Sequence, residues 1–142
     1  MSLEERNAWM MLVVAVAGLV VYPALVLAAA DGGPLVDVKY QPLMLWVIGV
    51  SIAIGIVGAI VNGIRVNLAG ERETDERDRE IARFSTNVGQ AFLVIGGLAA
   101  LLMAMAEWDW FWIANTLYLG FALSGILEGT TKVVSYRRGL PW

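Results

Sequence analysis

The chain has 142 residues, a formal net charge of −3 and an apolar fraction of 58%, with a mean hydropathy of +0.67, which is more apolar surface than a water-soluble domain of this size buries. It contains neither cysteine nor histidine, which removes disulfides, thiolate nucleophiles, imidazole bases and the common zinc, haem and iron-sulfur ligand sets. The acidic balance argues against nucleic acid as a partner, because phosphate-binding domains are basic.

A helix needs about 20 apolar residues to cross a hydrocarbon layer of about 30 Å. Residues 8–30, 42–62, 84–106 and 110–131 each meet that length, with no charge in their central thirds. Without an alternating strand pattern, the helix is the spanning solution that satisfies its own backbone. The expected fold is therefore all-α, a single integral membrane domain built as a four-helix transmembrane bundle.

The first run, 8–30, is longer than the apolar part of a signal peptide, and Glu4 and Glu5 precede it beside Arg6. It reads as a retained helix rather than a cleaved leader. Pro23 lies within it and is expected to bend it and free a carbonyl one turn earlier. Asp31-Gly32-Gly33-Pro34 opens the connection to the second run, which Pro42 starts at a position where its missing donor is harmless.

Along the second run Ser51, Gly55, Ala59 and Gly63 recur every four residues, a small-residue ridge on which another helix can approach closely. Gly96, Ala100 and Ala104 repeat the pattern in the third run, and Gly120 and Ser124 lead to Glu128 in the fourth. Such ridges serve either contacts within the chain or a homo-oligomer seam. Residues 46–48 with 59–66 also loosely parallel residues 112–114 with 125–133, as if two hairpins were related by duplication about an axis along the membrane normal.

Between the second and third runs lies a charged connection, residues 65–83, whose section from Glu71 to Glu80 has six acids and three arginines. Thr74 is the expected N-cap of the third helix, with Asp75 and Glu76 in its first turn. Glu73 with Arg77 and Asp75 with Arg79 are spaced as i,i+4 ion pairs. The candidate docking element is Asp75, Glu76, Arg77, Asp78, Arg79 and Glu80. It reads as a solvated, self-paired helical extension or as a dock for a basic partner protein; a divalent-cation site lacks the glycine turn and alternating ligands of a calcium loop.

The segment Asp75-Glu76-Arg77-Asp78-Arg79-Glu80-Ile81, between the second and third helices of a small four-helix protein, resembles the Asp-Glu-Arg-Asp motif of predicted membrane proteins of unknown function in bacteria and archaea, particularly actinobacteria. The likeness spans most of the chain in hydropathy and is specific only in this motif. Genes for such proteins often stand beside small helix-turn-helix regulators, so the resemblance implies a regulatory or stress-linked setting. It implies no activity for any residue.

Nine of the ten basic residues fall on the side shared by the two termini and the charged connection, against Lys39 on the other. The positive-inside rule then places both termini in the cytoplasm and the chain in the inner membrane, multi-pass. Tyr40, Trp46, Trp108, Trp110 and Trp112 gather at the expected outer interface, with Trp9, Tyr136 and Trp142 at the inner one. The third and fourth runs are joined by Glu107-Trp108-Asp109 alone, which demands a tight antiparallel hairpin.

A polar layer is expected just inside the inner interface. Arg83, Asn87 and Gln90 share one helix face; Glu128, Thr131 and Lys132 come from the fourth run, and Asn62, Arg65 and Asn67 from the second. The candidate cluster is Arg65, Arg83, Asn87, Gln90, Glu128 and Lys132. It reads as an ion pair from Glu128 to Arg83 or Lys132 with amides bridging helices, as an anion or headgroup pocket, or as lysine and arginine snorkelling to lipid.

No nucleophile, base and oxyanion donor can be named together, so no catalytic, cofactor or metal residue is assigned. The leading expectation is a non-enzymatic membrane protein acting by association, as a homo-oligomer or an accessory subunit. The alternative is an oligomeric channel or transporter with Asn87, Gln90 and Glu128 at its inner mouth, and an integral membrane enzyme ranks third.

Overall fold

A computed structural model describes residues 2–70 and 75–142. The chain is an all-α four-helix bundle of α1 (Leu3–Ala30), α2 (Tyr40–Ala69), α3 (Glu76–Met105) and α4 (Trp110–Arg138), with a short 3-10 turn at Leu35–Asp37. All four helices are long and apolar enough to cross a membrane. Each outlasts its apolar run at the same end of the bundle: α1 starts at Leu3 rather than 8, α2 continues from 62 to Ala69, α3 begins at Glu76 rather than 84, and α4 runs past 131 to Arg138. Of the charged connection expected over 65–83, residues 65–69 belong to α2 and 76–83 to α3.

The reason is that an apolar run measures only the hydrocarbon stratum. Thirty helical residues, as in α2 and α3, are about 45 Å long against a hydrocarbon layer of about 30 Å. The Glu, Arg and Lys residues beyond the run are good helix formers and carry the helix onward. At the other end the observed bounds differ from the expected ones by at most two residues (40 for 42, 105 for 106), because turn residues stop the helix there. Asp31 and Glu107 take left-handed φ of 46° and 57°.

Caps explain the starts. Ser2 Oγ accepts from the Glu5 N–H at 3.1 Å. In α3 the N-cap position belongs to Asp75, not Thr74, which lies outside the described residues. Asp75 Oδ1 accepts from the Asp78 N–H at 2.9 Å while Asp78 Oδ2 accepts from the Asp75 N–H at 3.3 Å. This reciprocal capping box needs an acceptor three residues after the cap. Asp78 supplies one, whereas Thr74 would have faced Arg77, which has none. Pro42 lies in the first turn of α2, where its missing N–H has no helical acceptor to lose.

The helices pack in the order α3, α4, α1, α2, each antiparallel to the next along that row. The start of α1, the end of α2, the start of α3 and the end of α4 therefore share one end, here called the basic end. The row leaves α2 and α3 as its two edges, since they are not packed against one another to any comparable extent. A two-fold relating the two hairpins would exchange the α1–α4 contact for an α2–α3 contact, so the suspected duplication is not expressed as a two-fold arrangement.

The α3–α4 crossing is the closest. A Cβ placed on Gly96 would stand 2.9 Å from Gly120 Cα, and one on Gly89 would stand 2.9 Å from the Ser124 carbonyl oxygen. Ala100 is also buried, so the expected ridges of α3 and α4 meet at Gly96, Ala100 and Gly120, while Ala104 is exposed. Gly129 receives Leu12 of α1, with 3.0 Å between a Cβ there and Leu12 Cβ. Away from the basic end, Tyr22, Val26 and Phe111 form a buried cluster sealed by Leu35, Val38, Tyr40 and Leu43, so the connection between α1 and α2 folds down as a lid on the core. Trp46, Trp108 and Trp110 stay exposed around it, in the manner of an interfacial aromatic belt.

Candidate functional site

The basic end gathers most of the polar side chains, and the structure divides them into groups that the sequence had pooled. Glu128 lies between α4 and α3. Its Oε1 accepts from Lys132 Nζ at 3.0 Å and from Thr86 Oγ1 at 3.1 Å. The pair with Lys132 is an i,i+4 ion pair with both side chains about one-fifth exposed. Thr86 is the interhelical partner that sequence reading missed, because a threonine is among the least conspicuous polar residues in an apolar run. Glu128 is thus satisfied within the chain, and Arg83 is not its partner.

Arg83, Asn87 and Gln90 do share one face of α3, as their spacing requires, but that face points away from α4. All three are exposed, whereas Ile81, Ser85, Gly89 and Gly96 are buried on the opposite side. The amides do not bridge helices within the chain. Arg65 is also exposed, on α2. The expected six-residue cluster is therefore resolved into one half-buried pair, one outward stripe and one isolated arginine. The inner mouth imagined for Asn87, Gln90 and Glu128 is not assembled by one copy of the chain.

Other polar links at this end join α1 to its neighbours. Asn62 Nδ2 donates to Asn7 Oδ1 at 2.6 Å across α1 and α2. Glu5 Oε1 lies 3.7 Å from Arg137 Nε, and the Arg137 guanidinium stands 5.4 Å from the centre of the Trp9 ring, within cation–π range. Between α1, α2 and α4 is a cavity of about 360 Å³ whose lining includes Glu4, Asn7 and Lys132 beside Met10, Gly55 and Ala59. Lys132 of the expected cluster and Gly55 and Ala59 of the α2 ridge both contribute to it.

The docking element also separates. Asp78 is committed inward: besides closing the capping box it accepts a hydrogen bond from the Tyr136 hydroxyl, tying the end of α4 to the first turn of α3. Asp75 caps, so the expected Asp75–Arg79 ion pair does not form; Glu73, the expected partner of Arg77, lies outside the described residues. Glu76, Arg77, Arg79 and Glu80 remain exposed on the first turns of α3. Among the described residues no group of three acidic side chains is placed to hold a metal ion.

No helix closes on the ridge of α2, although Gly55 and Ala59 line the recess between α1, α2 and α4. A Cβ on Gly55 or Gly63 would meet nothing within 4 Å, and Ala59 is exposed. Ser51 alone is engaged, its hydroxyl donating to the Val47 carbonyl at 2.7 Å. The contact with α1 falls instead on Gly58, which lies under the Met10 side chain.

A second polar set, unanticipated from sequence, lies deeper between α1 and α4. The Tyr22 hydroxyl donates to Asn115 Oδ1 at 2.6 Å, Asn115 Nδ2 donates to the Phe111 carbonyl at 2.7 Å, and the Tyr118 hydroxyl donates to the Gly18 carbonyl at 2.7 Å. The Tyr22 and Tyr118 rings are 4.5 Å apart. The available signal was Asn115 with Tyr118, three residues apart on one face of the fourth run. Comparison with protein-family models, with curated proteins and with solved structures finds no match to this chain.

Proposed function

We propose that this chain is a multi-pass protein of the cytoplasmic membrane, with both termini and the charged turn inside, that acts by association rather than catalysis. The row of helices carries this reading: α2 is packed chiefly on α1, with no helix closing on Gly55 or Gly63, and the first turns of α3 project exposed charges beyond the apolar stratum. A helix that needs no second neighbour to fold is free to take one from another molecule. The gathering of basic residues at one end supports the inside placement, and the regulatory setting implied by the Asp-Glu-Arg-Asp resemblance fits an accessory subunit whose charged turns meet a basic partner.

Charge reversal tests the docking role at the residues free to perform it. Glu76→Lys with Glu80→Lys should abolish recovery of the native cytoplasmic partner in a pull-down from solubilised membranes while leaving the α3 cap intact. Equal recovery by the native and reversed chains removes the docking element. Reversal at Asp78 would be ambiguous, because that carboxylate also holds Tyr136 and the capping box.

A further inference from the structure

The other edge of the row carries a more specific surface. Glu80, Arg83, Asn87, Gln90, Val94, Gly97 and Leu101 follow one another at alternating steps of three and four along α3, the 3.5-residue period of a two-helix seam. The stripe is open along its length: the side chains from Glu80 to Gln90 are exposed, Val94 is 59% and Leu101 56% exposed, and a Cβ on Gly97 would meet nothing within 4 Å.

Two members of the stripe are out of place on a lipid-facing surface. Counting back from Met105 at 1.5 Å per residue puts Gln90 about 22 Å and Asn87 about 27 Å along α3, inside a hydrocarbon layer of about 30 Å. Neither amide makes a hydrogen bond to any described residue. Acyl chains offer no donors or acceptors, so an amide at that depth is stabilised by a protein partner.

From this we infer that α3 pairs with α3 of a second copy of the chain, in parallel, through the Asn87 and Gln90 layer. A carboxamide carries donors and an acceptor together, so two copies related by a two-fold satisfy each other without any further chemistry, which is the requirement of a self-complementary interface. A buried amide at such a position also sets register and favours a two-stranded state. The flanking residues agree: Gly97 allows close approach on one side of the layer, and on the other Glu80 and Arg83, neither ion-paired among the described residues, place opposite charges where each copy's arginine can meet the other's glutamate. The stripe is continuous with the exposed turns of α3, so pairing would also bring two charged turns side by side. This rests on the association reading and names the surface it uses.

The chain has no cysteine, so single cysteines report without background. In proteoliposomes of the full chain, oxidised Gln90→Cys and Val94→Cys should form disulfide-linked dimers several-fold more efficiently than Phe92→Cys, which is exposed on the far side of α3, or Gly63→Cys on α2. Asn87→Leu with Gln90→Leu should weaken dimerisation measured by energy transfer on lipid dilution roughly tenfold, while Asn87→Gln with Gln90→Asn, which keeps both amides, should retain most of it. Dimers that cross-link through Gly63→Cys and not through Gln90→Cys, or a leucine double variant as dimeric as the native chain, would overturn the α3 seam and leave association standing. A chain that is monomeric at every dilution would overturn both.

Discussion

The α3–α4 and α1–α2 hairpins are built from similar sequence and packed in opposite ways. Between α3 and α4 backbone meets backbone at Gly96 and Gly120, and the small residues on each side bury one another. Between α1 and α2 a methionine side chain lies over Gly58, the ridge residues Gly55 and Ala59 line an open recess instead of a packed contact, and an apolar groove of about 790 Å³ runs between Trp9 and Leu25 on one helix and Leu43 and Ile54 on the other. A small-residue ridge is therefore only half of a close contact. It closes where the facing helix offers its own small residue at the same level, as α4 does with Gly120 and Ser124, and stays open where that residue is Met10.

Substitution at the closed crossing should have the largest effect on stability. Gly96→Leu must force α3 from α4, because the obstruction is the Gly120 backbone, and should cost about 2 to 3 kcal/mol in unfolding from mixed micelles. The matching change in the open hairpin, Gly55→Leu, should lie within about 0.5 kcal/mol of the native chain. If Gly55→Leu were as damaging as Gly96→Leu, the contrast between the hairpins would be wrong.

An intermediate effect is expected from the polar link in the α1–α4 seam. Tyr22→Phe removes the donor to Asn115 Oδ1 and leaves that oxygen unpaired in an apolar setting, for about 1 kcal/mol in the same unfolding assay. A Tyr22→Phe variant as stable as the native chain would mean that the Tyr22–Asn115 bond adds nothing to the α1–α4 contact. The smallest effect should come from Gly58→Ala: its new methyl collides only with the flexible end of Met10, which can rotate aside, so a change within about 0.5 kcal/mol is expected. A large loss there would show the α1–α2 contact to be as rigid as the α3–α4 crossing.

The candidate site was legible in its parts and misread as a whole. The spacing of Arg83, Asn87 and Gln90 put them on one face, and of the two ion-pair partners expected for Glu128, Arg83 or Lys132, the structure shows Lys132. Helical periodicity says which residues share a face, but it carries no information on which way that face turns. Thr86, Asn7 and Asn115 were missed for the complementary reason: each is an ordinary polar residue until a neighbouring helix brings an acceptor or donor to it. Asp78 was taken for part of a solvated dock because its bond to Tyr136 joins residues from different helices.

Read alone, the amino-acid order determined the number of spans, their apolar stretches, the turns that end them away from the basic end, and the concentration of positive charge at the other. These are local properties, set by hydropathy over about 20 residues and by the backbone's need to satisfy its own hydrogen bonds where water is absent. Only the tertiary structure decided that α4 sits between α3 and α1, that α2 is left at an edge, and that the α3 amides look outward. Those outcomes depend on which surfaces fit at close range, where the difference between Gly120 and Met10 opposite a ridge outweighs any pattern within a single helix.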